Sequence, residues 1–233
     1  MTRPLLIKAA MRSADVGHLA DQIQRLEQGG IDALHFDVMD GRFVPEICMG
    51  PSFIRGLRKY TALPFEVHLL LQGPNGCVAQ YLDAGADCLL IHVEASADPT
   101  ALLEHVHRQG RRAGLAITPA TPSGVLEPHL QACDVLNVMT VAPGQPGVLH
   151  EGGVRNLSAV AEMVQRHRRT LLVQADGAVS LATRQRLLDA GAQALVAGYP
   201  VFSREDFGPS IAELRYGHQR TAAYSTGGSD DAG

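Results

Sequence analysis

Four side chains of the types that bind metal ions lie near the ends of apolar, strand-like segments. His35 and Asp37 are two residues apart in the segment 33–38, and the alternation of a strand points both to one face. His68 and Asp176 each end another apolar run. A lone His-x-Asp pair is more often explained by hydrogen bonds to neighbouring backbone. Two imidazoles and two carboxylates together favour an open site for zinc, manganese, iron or cobalt.

A metal ion flanked by carboxylates is suited to proton transfer beside a carbonyl group. A base removes the proton, and a cation stabilises the enediolate that forms. Carboxylates on opposite faces of that planar intermediate permit inversion, so this chemistry predicts an epimerase. Met39 and Met139 end two of the strands and could offer the intermediate a polarisable, water-poor surface. Packing in the core explains both methionines equally well.

The elements that must position these residues alternate between apolar runs and helical segments. Eight strands are predicted at 5–10, 33–38, 64–71, 88–93, 112–117, 135–139, 170–175 and 194–197. The predicted helices cover 13–30, 51–58, 74–84, 99–109, 123–130, 154–167, 181–190 and 200–215. Eight such units fit a single closed (β/α)8 TIM barrel better than an open, doubly wound sheet. Active sites of such barrels lie at the carboxyl ends of the strands, where the four candidate ligands fall.

The composition is that of one globular domain. With 233 residues, 45% of them hydrophobic, the chain can bury one large core, and we expect a barrel over 1–220 and a disordered Ser/Gly/Asp-rich tail over 221–233. The sequence has no apolar run long enough to span a bilayer and no signal-peptide pattern, which predicts a cytoplasmic protein with no membrane partner. A net charge of −4 without a basic cluster argues against nucleic-acid binding. Four widely spaced cysteines indicate neither a disulfide framework nor a thiolate zinc site.

Several motifs, taken together and in chain order, are specific to one family. They are His-Phe-Asp-Val-Met-Asp-Gly-Arg-Phe-Val-Pro at 35–45, Val-His-Leu at 67–69, Gly-Ala-Asp at 85–87, His-Val-Glu-Ala at 92–95, Pro-Ala-Thr-Pro at 119–122, the segment 139–144 and Val-Ala-Gly at 196–198. From about residue 5 to residue 202 the chain resembles the ribulose-phosphate 3-epimerase family.

This resemblance implies an isomerase that interconverts ketose phosphates epimeric at C3, chiefly ribulose 5-phosphate and xylulose 5-phosphate, through an enediolate. It implies that His35, Asp37, His68 and Asp176 bind one divalent metal ion, with zinc preferred over manganese, iron or cobalt. Asp37 and Asp176 would be the acid/base pair. The family's dimers and hexamers lead us to expect a homo-oligomer.

The segments expected to bind the substrate depart from the family pattern. Ala10 stands where the family usually has a serine, and Lys8 lies two residues earlier on the same face. Pro146 removes a backbone donor from the loop 143–148. Ala178 and Tyr199 replace a glycine and a serine, and Glu46 replaces an asparagine without a role that we can assign. The expected substrate-binding residues are Met39, Met139, Gly144, Gly147, Gly177, Ala178, Gly198, Tyr199 and Lys8.

These departures leave the proton-transfer residues in place and keep three alternatives open. The first is an epimerase of a different or unphosphorylated ketose. The second is a Schiff-base aldolase, for which Lys8 is the candidate nucleophile. The third is a non-catalytic paralogue that binds a sugar.

Overall fold

Eight parallel strands close into a barrel, which confirms the predicted (β/α)8 fold. The computed structural model of the chain describes residues 4–144, 147–167 and 169–217. Its barrel strands are β1 (Leu6–Ala10), β2 (Ala33–Asp40), β4 (Phe65–Leu70), β5 (Cys88–His92), β6 (Arg112–Ile117), β7 (Val135–Met139), β8 (Leu172–Asp176) and β9 (Ala194–Ala197). Each pairs with its neighbours in parallel, and the pairing of β1 with both β2 and β9 closes the sheet.

The helices surround the barrel. They are α1 (Leu19–Gln28), α2 (Pro51–Arg58), α3 (Val78–Asp83), α4 (Pro99–Arg108), α5 (Glu151–Arg166), α6 (Leu181–Asp189), α7 (Tyr199–Phe202) and α8 (Phe207–Tyr216). Short 3-10 segments cover Met11–Ser13, Pro74–Gly76, Val93–Ala95 and Ser123–Ala132. None of the helices in the described part of the chain has both the length and the apolar character needed to cross a bilayer.

Several predicted boundaries were wrong for identifiable reasons. The first helix begins at Leu19 rather than at residue 13, because the side chain of Asp15 accepts from the N–H of Gly17 and forms a turn. The predicted helix 123–130 is a 3-10 segment containing Pro128, which cannot donate a backbone hydrogen bond. The predicted last helix divides into α7 and α8, and Asp206 caps α8 by accepting from Gly208. A short strand β3 (Ile47–Cys48), which was not predicted, pairs antiparallel with the end of β2.

The barrel interior has three levels, which follow from the strand register. The amino-terminal level is an apolar plug formed by Leu6, Cys88, Leu90, Val135, Leu172 and Ala194. The middle level is polar and buried, and comprises Lys8, His35, Glu66, Asn137 and Gln174. The carboxyl-terminal level carries Asp37, His68 and Asp176. The polar levels therefore lie between a dry plug and the face on which barrel enzymes bind substrates.

Candidate metal centre and active site

His35, Asp37, His68 and Asp176 meet at the carboxyl-terminal end of the barrel. Asp37 on β2 is directly opposite His68 on β4, and Asp176 is the last residue of β8. Each residue contributes one ligand-type atom, and these four atoms lie within 4.8 Å of one another. Asp37 Oδ1 is 3.2 Å from both His35 Nε2 and His68 Nδ1. Asp176 Oδ2 is 3.6 Å from His35 Nε2 and 3.4 Å from His68 Nδ1.

The spacing of these atoms fits a small divalent cation. Bonds of about 2.1 Å in a tetrahedral site place neighbouring ligand atoms about 3.4 Å apart, which is close to the separations observed. The electrostatic surroundings also favour positive charge. Burial opposes protonation of His35, but the carboxylates of Asp37 and Asp176 outweigh it and raise its pKa to about 10. Burial likewise opposes ionisation of Asp37, and His35 and His68 nevertheless hold its pKa below the ordinary value.

The outer nitrogen of each histidine has a partner that leaves the inner nitrogen free as a ligand. His35 Nδ1 donates to Glu66 Oε1 over 2.9 Å, so Nε2 is the nitrogen that faces the cluster, where a cation would take the place of its proton. His92 Nδ1 donates to Glu94 Oε2 over 3.0 Å. Burial lowers the pKa of His92, so its neutral ring accepts at Nε2 from His68 Nε2, 2.9 Å away. Nδ1 of His68 therefore faces the cluster. Burial opposes protonation of this ring, but Asp176 and Asp37 raise its pKa, so a cation here would take the place of a proton.

Asp176 is fixed by one neighbour on β7 and by another just after it. Asn137 Nδ2 donates to Asp176 Oδ2 over 2.9 Å, and the N–H of Thr140 donates to the Asp176 carbonyl over 2.7 Å. The hydroxyl of Thr140 also donates to the carbonyl of Gly177. One carboxylate oxygen of Asp176 is therefore oriented by an amide, and the backbone that carries it is tied to the adjacent strand.

A cavity of about 480 Å³ opens above the cluster. The side chains of Asp37 and Asp176 are 14% and 10% exposed, whereas both ligand histidines are fully buried beneath them. Met39 and Met139 form one wall, packed with Val44 and Leu70. The two carboxylates are thus the groups of the cluster that a substrate can reach, beside an apolar surface.

The far end of the cavity is formed by backbone and small side chains. Gly177 and Ala178 both have positive φ, of 95° and 50°. Gly198 lies against Ser13, because a Cβ at this glycine would be 2.3 Å from Ser13 Oγ. Tyr199 is 79% exposed and also lines the cavity. This end of the cavity therefore combines glycine backbone with polar side chains such as that of Ser13.

A loop-to-loop ion pair stands at the same cavity. Arg12 follows β1 and lines the cavity, and its Nη2 lies 2.6 Å from Glu46 Oε2 in the loop after β2. Among the described lining residues, Arg12 is the one with a cationic side chain. The side chains of Arg12 and Glu46 are 32% and 41% exposed, so solvent screens their attraction.

Known proteins match this chain along almost its whole length. The model of the ribulose-phosphate 3-epimerase family matches residues 6–202. The chain is 35% identical over 216 residues to ribulose-phosphate 3-epimerase of Bacillus subtilis (strain 168), covering 90% of this chain and 99% of the relative. It is 33% identical over 223 residues to ribulose-phosphate 3-epimerase of Synechocystis sp., covering 92% and 95%. The chain belongs to the ribulose-phosphate 3-epimerase family. It is an enzyme of the isomerase class, an epimerase.

Solved structures support the barrel architecture of this family member. A crystal structure of 3-hexulose-6-phosphate synthase superposes with a TM-score of 0.64 at 14% identity, covering 91% of this chain and 98% of the other. KGPDC from Streptococcus mutans superposes with a TM-score of 0.67 at 11% identity, covering 91% and 96%. At such identities the likeness concerns the fold alone.

Most of the residues that we expected at the epimerase site lie together. Asp37 and Asp176 line the cavity with Met39, Met139, Gly144, Gly147, Gly177, Ala178, Gly198 and Tyr199. Ala10 also lines it, and Ala178, which replaces a glycine of the family, has a left-handed backbone conformation. Lys8 is placed elsewhere, because its ammonium group is buried in the middle level of the barrel against Glu66. Pro146 lies outside the described residues, as does the tail 221–233.

From the sequence we assigned no role to several residues that hydrogen-bond to the site residues or line the cavity. They are Glu66, His92, Glu94, Arg12, Ser13, Ser180 and Thr183. A signal existed for some of them. Glu66 lies two residues before His68 and so shares its face, and His92-x-Glu94 repeats the His-x-acid spacing of His35-x-Asp37. The cavity-lining residues in the loops after β1 and β8 show no such spacing in the sequence.

Proposed function

We propose that this chain is a metal-dependent 3-epimerase that interconverts ribulose 5-phosphate and xylulose 5-phosphate or a close ketose phosphate. The supporting observation is the cluster itself: four ligand-type atoms within 4.8 Å, of which only the two carboxylate groups reach the cavity. The names of the relatives support the choice of substrate. His35, Asp37, His68 and Asp176 would hold one divalent ion, for which zinc is the first choice.

Two carboxylates can carry the proton transfer. One removes the proton from C3 of the ketose, and the other delivers a proton to the opposite face, which inverts the centre. A divalent ion bound here supplies positive charge that stabilises the enediolate oxygens. The wall of Met39 and Met139 excludes water from the planar carbon, and Asn137 keeps one oxygen of Asp176 oriented.

The far end of the cavity would receive the phosphate group. Backbone at Gly177, Ala178 and Gly198 allows close approach of an anion, and Ser13 lines the same region. Arg12 would add a cationic contact once the anion competes with Glu46 for its guanidinium. Gly144 and Gly147, which also line the cavity, flank the residues of the loop that lie outside the described part of the chain.

A second candidate is an epimerase of a smaller or unphosphorylated ketose. Tyr199 favours it, because an exposed ring lies on the cavity wall beside Gly198, at the end where the phosphate would bind. The Schiff-base alternative has no comparable support, since Lys8 is 5% exposed, is paired with Glu66 and does not line the cavity.

A turnover assay on matched substrates tests the proposal. The purified, metal-loaded chain is incubated with ribulose 5-phosphate, with a second ketose phosphate and with free ribulose, and the epimers are separated. We expect turnover of the phosphorylated pentose and a loss of about 10²-fold or more in Asp37→Asn and Asp176→Asn, because each lacks one proton carrier. Turnover of the free sugar alone would establish the second candidate instead. Unchanged rates in both variants would contradict the proposed chemistry.

A further inference from the structure

Beneath the metal cluster lies a buried ion pair that the proton transfer itself does not use. Lys8 on β1 and Glu66 on β4 are 5% and 3% exposed, and the ammonium group of Lys8 contacts Glu66 Oε2. Their side chains meet across the interior of the barrel, above the apolar plug that contains Leu172. A buried charge pair of this kind costs desolvation energy, so it requires an explanation other than stability alone.

Glu66 connects this pair to the metal site. Its Oε1 accepts from His35 Nδ1 over 2.9 Å and from Gln174 Nε2 over 2.8 Å, while Oε2 faces Lys8. Both carboxylate oxygens of Glu66 therefore have partners. Rotation of the His35 ring in either direction would break its hydrogen bond to Glu66. The inner nitrogen of that ring, Nε2, is the ligand-type atom that faces Asp37 and Asp176.

We infer that Lys8 and Glu66 act as a positioning pair for the metal ligand His35, in which Glu66 holds the ring and its tautomer and Lys8 is the counter-ion of Glu66. This inference rests on the proposed function, because it assumes that the cluster binds a divalent ion. Neither side chain is a catalytic residue, since neither lines the cavity.

Charge balance supports the role of Lys8. The middle and carboxyl-terminal levels of the interior together hold the three carboxylates of Glu66, Asp37 and Asp176. The ammonium group of Lys8 and a divalent ion together neutralise them. Without Lys8 the same interior would carry a net negative charge next to a hydrophobic plug, which is unfavourable in a medium of low dielectric constant. The pair thus allows a third carboxylate to be placed behind a metal ligand.

The same contacts argue against Lys8 as a nucleophile. A lysine that forms a Schiff base must present a neutral amine to a substrate carbonyl. Here the amine contacts the carboxylate of Glu66 below the cluster, and Lys8 does not line the cavity. Reduction with borohydride in the presence of a ketose is therefore expected to leave Lys8 unmodified.

Metal affinity is the measurement that separates positioning from a merely structural role. The full chain is stripped with a chelator, and its Kd for Zn²⁺ is measured by competition with a chromogenic chelator, together with the visible spectrum of the Co²⁺-loaded protein. We expect Glu66→Gln to raise the Kd by about 10- to 100-fold, the range typical for mutation of a residue behind a metal ligand, because a neutral amide oxygen is a weaker acceptor for His35 Nδ1 than a carboxylate. The Co²⁺ spectrum should change with it, because the geometry of His35 changes.

Three further variants keep the test independent of folding. Lys8→Met with Glu66→Gln removes both charges, so we expect a Tm above that of Lys8→Met alone but a Kd as weak as that of Glu66→Gln. Leu172→Ala, in the plug below, is the matched control: it should lower the Tm and leave the Kd of the parent unchanged.

The outcomes distinguish a failure of the proposed function from a failure of this inference alone. A parent protein that binds no ion overturns both the proposed metal-dependent function and this inference. A parent that binds one ion per chain, with an unchanged Kd in both variants that lack the Glu66 carboxylate, overturns the inference alone. A Kd that weakens as much in Leu172→Ala as in Glu66→Gln also overturns it, because the effect would then follow general destabilisation.

Discussion

Ala178 occupies a left-handed backbone conformation, with φ of 50°, two residues after the candidate metal ligand Asp176. A side chain in this region clashes with the following carbonyl and costs about 1–2 kcal/mol. Replacing Ala178 by glycine removes that strain. It also increases the conformational entropy of the unfolded chain, which stabilises the unfolded state by about 0.4–1 kcal/mol. We therefore predict that Ala178→Gly raises the free energy of unfolding by about 0.5–1 kcal/mol in a urea titration.

The same exchange elsewhere provides the control. Ala159 lies inside the regular helix α5, where glycine costs about 1 kcal/mol relative to alanine. Ala159→Gly should thus destabilise the protein while Ala178→Gly stabilises it. Equal losses at both positions would show that the conformation at 178 stores no strain.

At the level of single residues, the sequence indicated the ligands but not what holds them. His35 and Asp37 share a face by strand alternation, and His68 and Asp176 end their own strands, so their convergence follows from the barrel alone. Glu66, the partner of His35, is on another strand and lies 31 residues away in the chain. Lys8, the partner of Glu66, is 58 residues away from it. Such pairs depend on the register between strands, which no local pattern in the chain encodes.

At the level of elements, the ion pair of Arg12 with Glu46 joins the loops after β1 and β2 beside the cavity. Glu46 holds the guanidinium group that a substrate phosphate would need. We predict that Arg12→Leu raises the KM for a phosphorylated ketose by about 10-fold, as expected for the loss of one charge-assisted contact of roughly 1.5 kcal/mol, with little change in kcat.

The partner of Arg12 offers the opposite test. Glu46→Gln frees the guanidinium group, so KM should stay equal or fall while the loops remain intact. A free ketose, which carries no phosphate, should be insensitive to both substitutions. A rise of KM in Glu46→Gln matching that in Arg12→Leu would mean that the ion pair, rather than the charge of Arg12, shapes the cavity.

Helix boundaries were the elements that local sequence predicted least well. The predicted long helix starts at residue 154, yet α5 begins at Glu151 and includes Gly152 and Gly153. A Cβ at these glycines would lie 2.8 Å from the Pro119 carbonyl oxygen and 2.6 Å from that of Met139. Close packing of the helix against the loops after β6 and β7 therefore requires glycine at both positions. Helix propensity does not include this constraint.

At the level of the whole molecule, closure of the sheet is what creates the site. The order of strands and the single closed barrel followed from eight alternating segments, because parallel strands require right-handed crossovers that bring all carboxyl ends to one face. The sequence did not predict which residues form each level of the barrel interior. Lys8 and Gln174 stand within apolar runs, and only the closed barrel shows that they meet Glu66 beneath the cluster.

The central claim is that two carboxylates beside a bound ion move a proton at C3 of a ketose phosphate. It is tested most directly by following the reaction of the metal-loaded chain in D2O by proton NMR. Our account predicts that the epimer forms with deuterium at C3, since the second carboxylate delivers a proton that comes from solvent. An epimer that keeps its original C3 hydrogen, or exchange at C3 without any epimer, would contradict it.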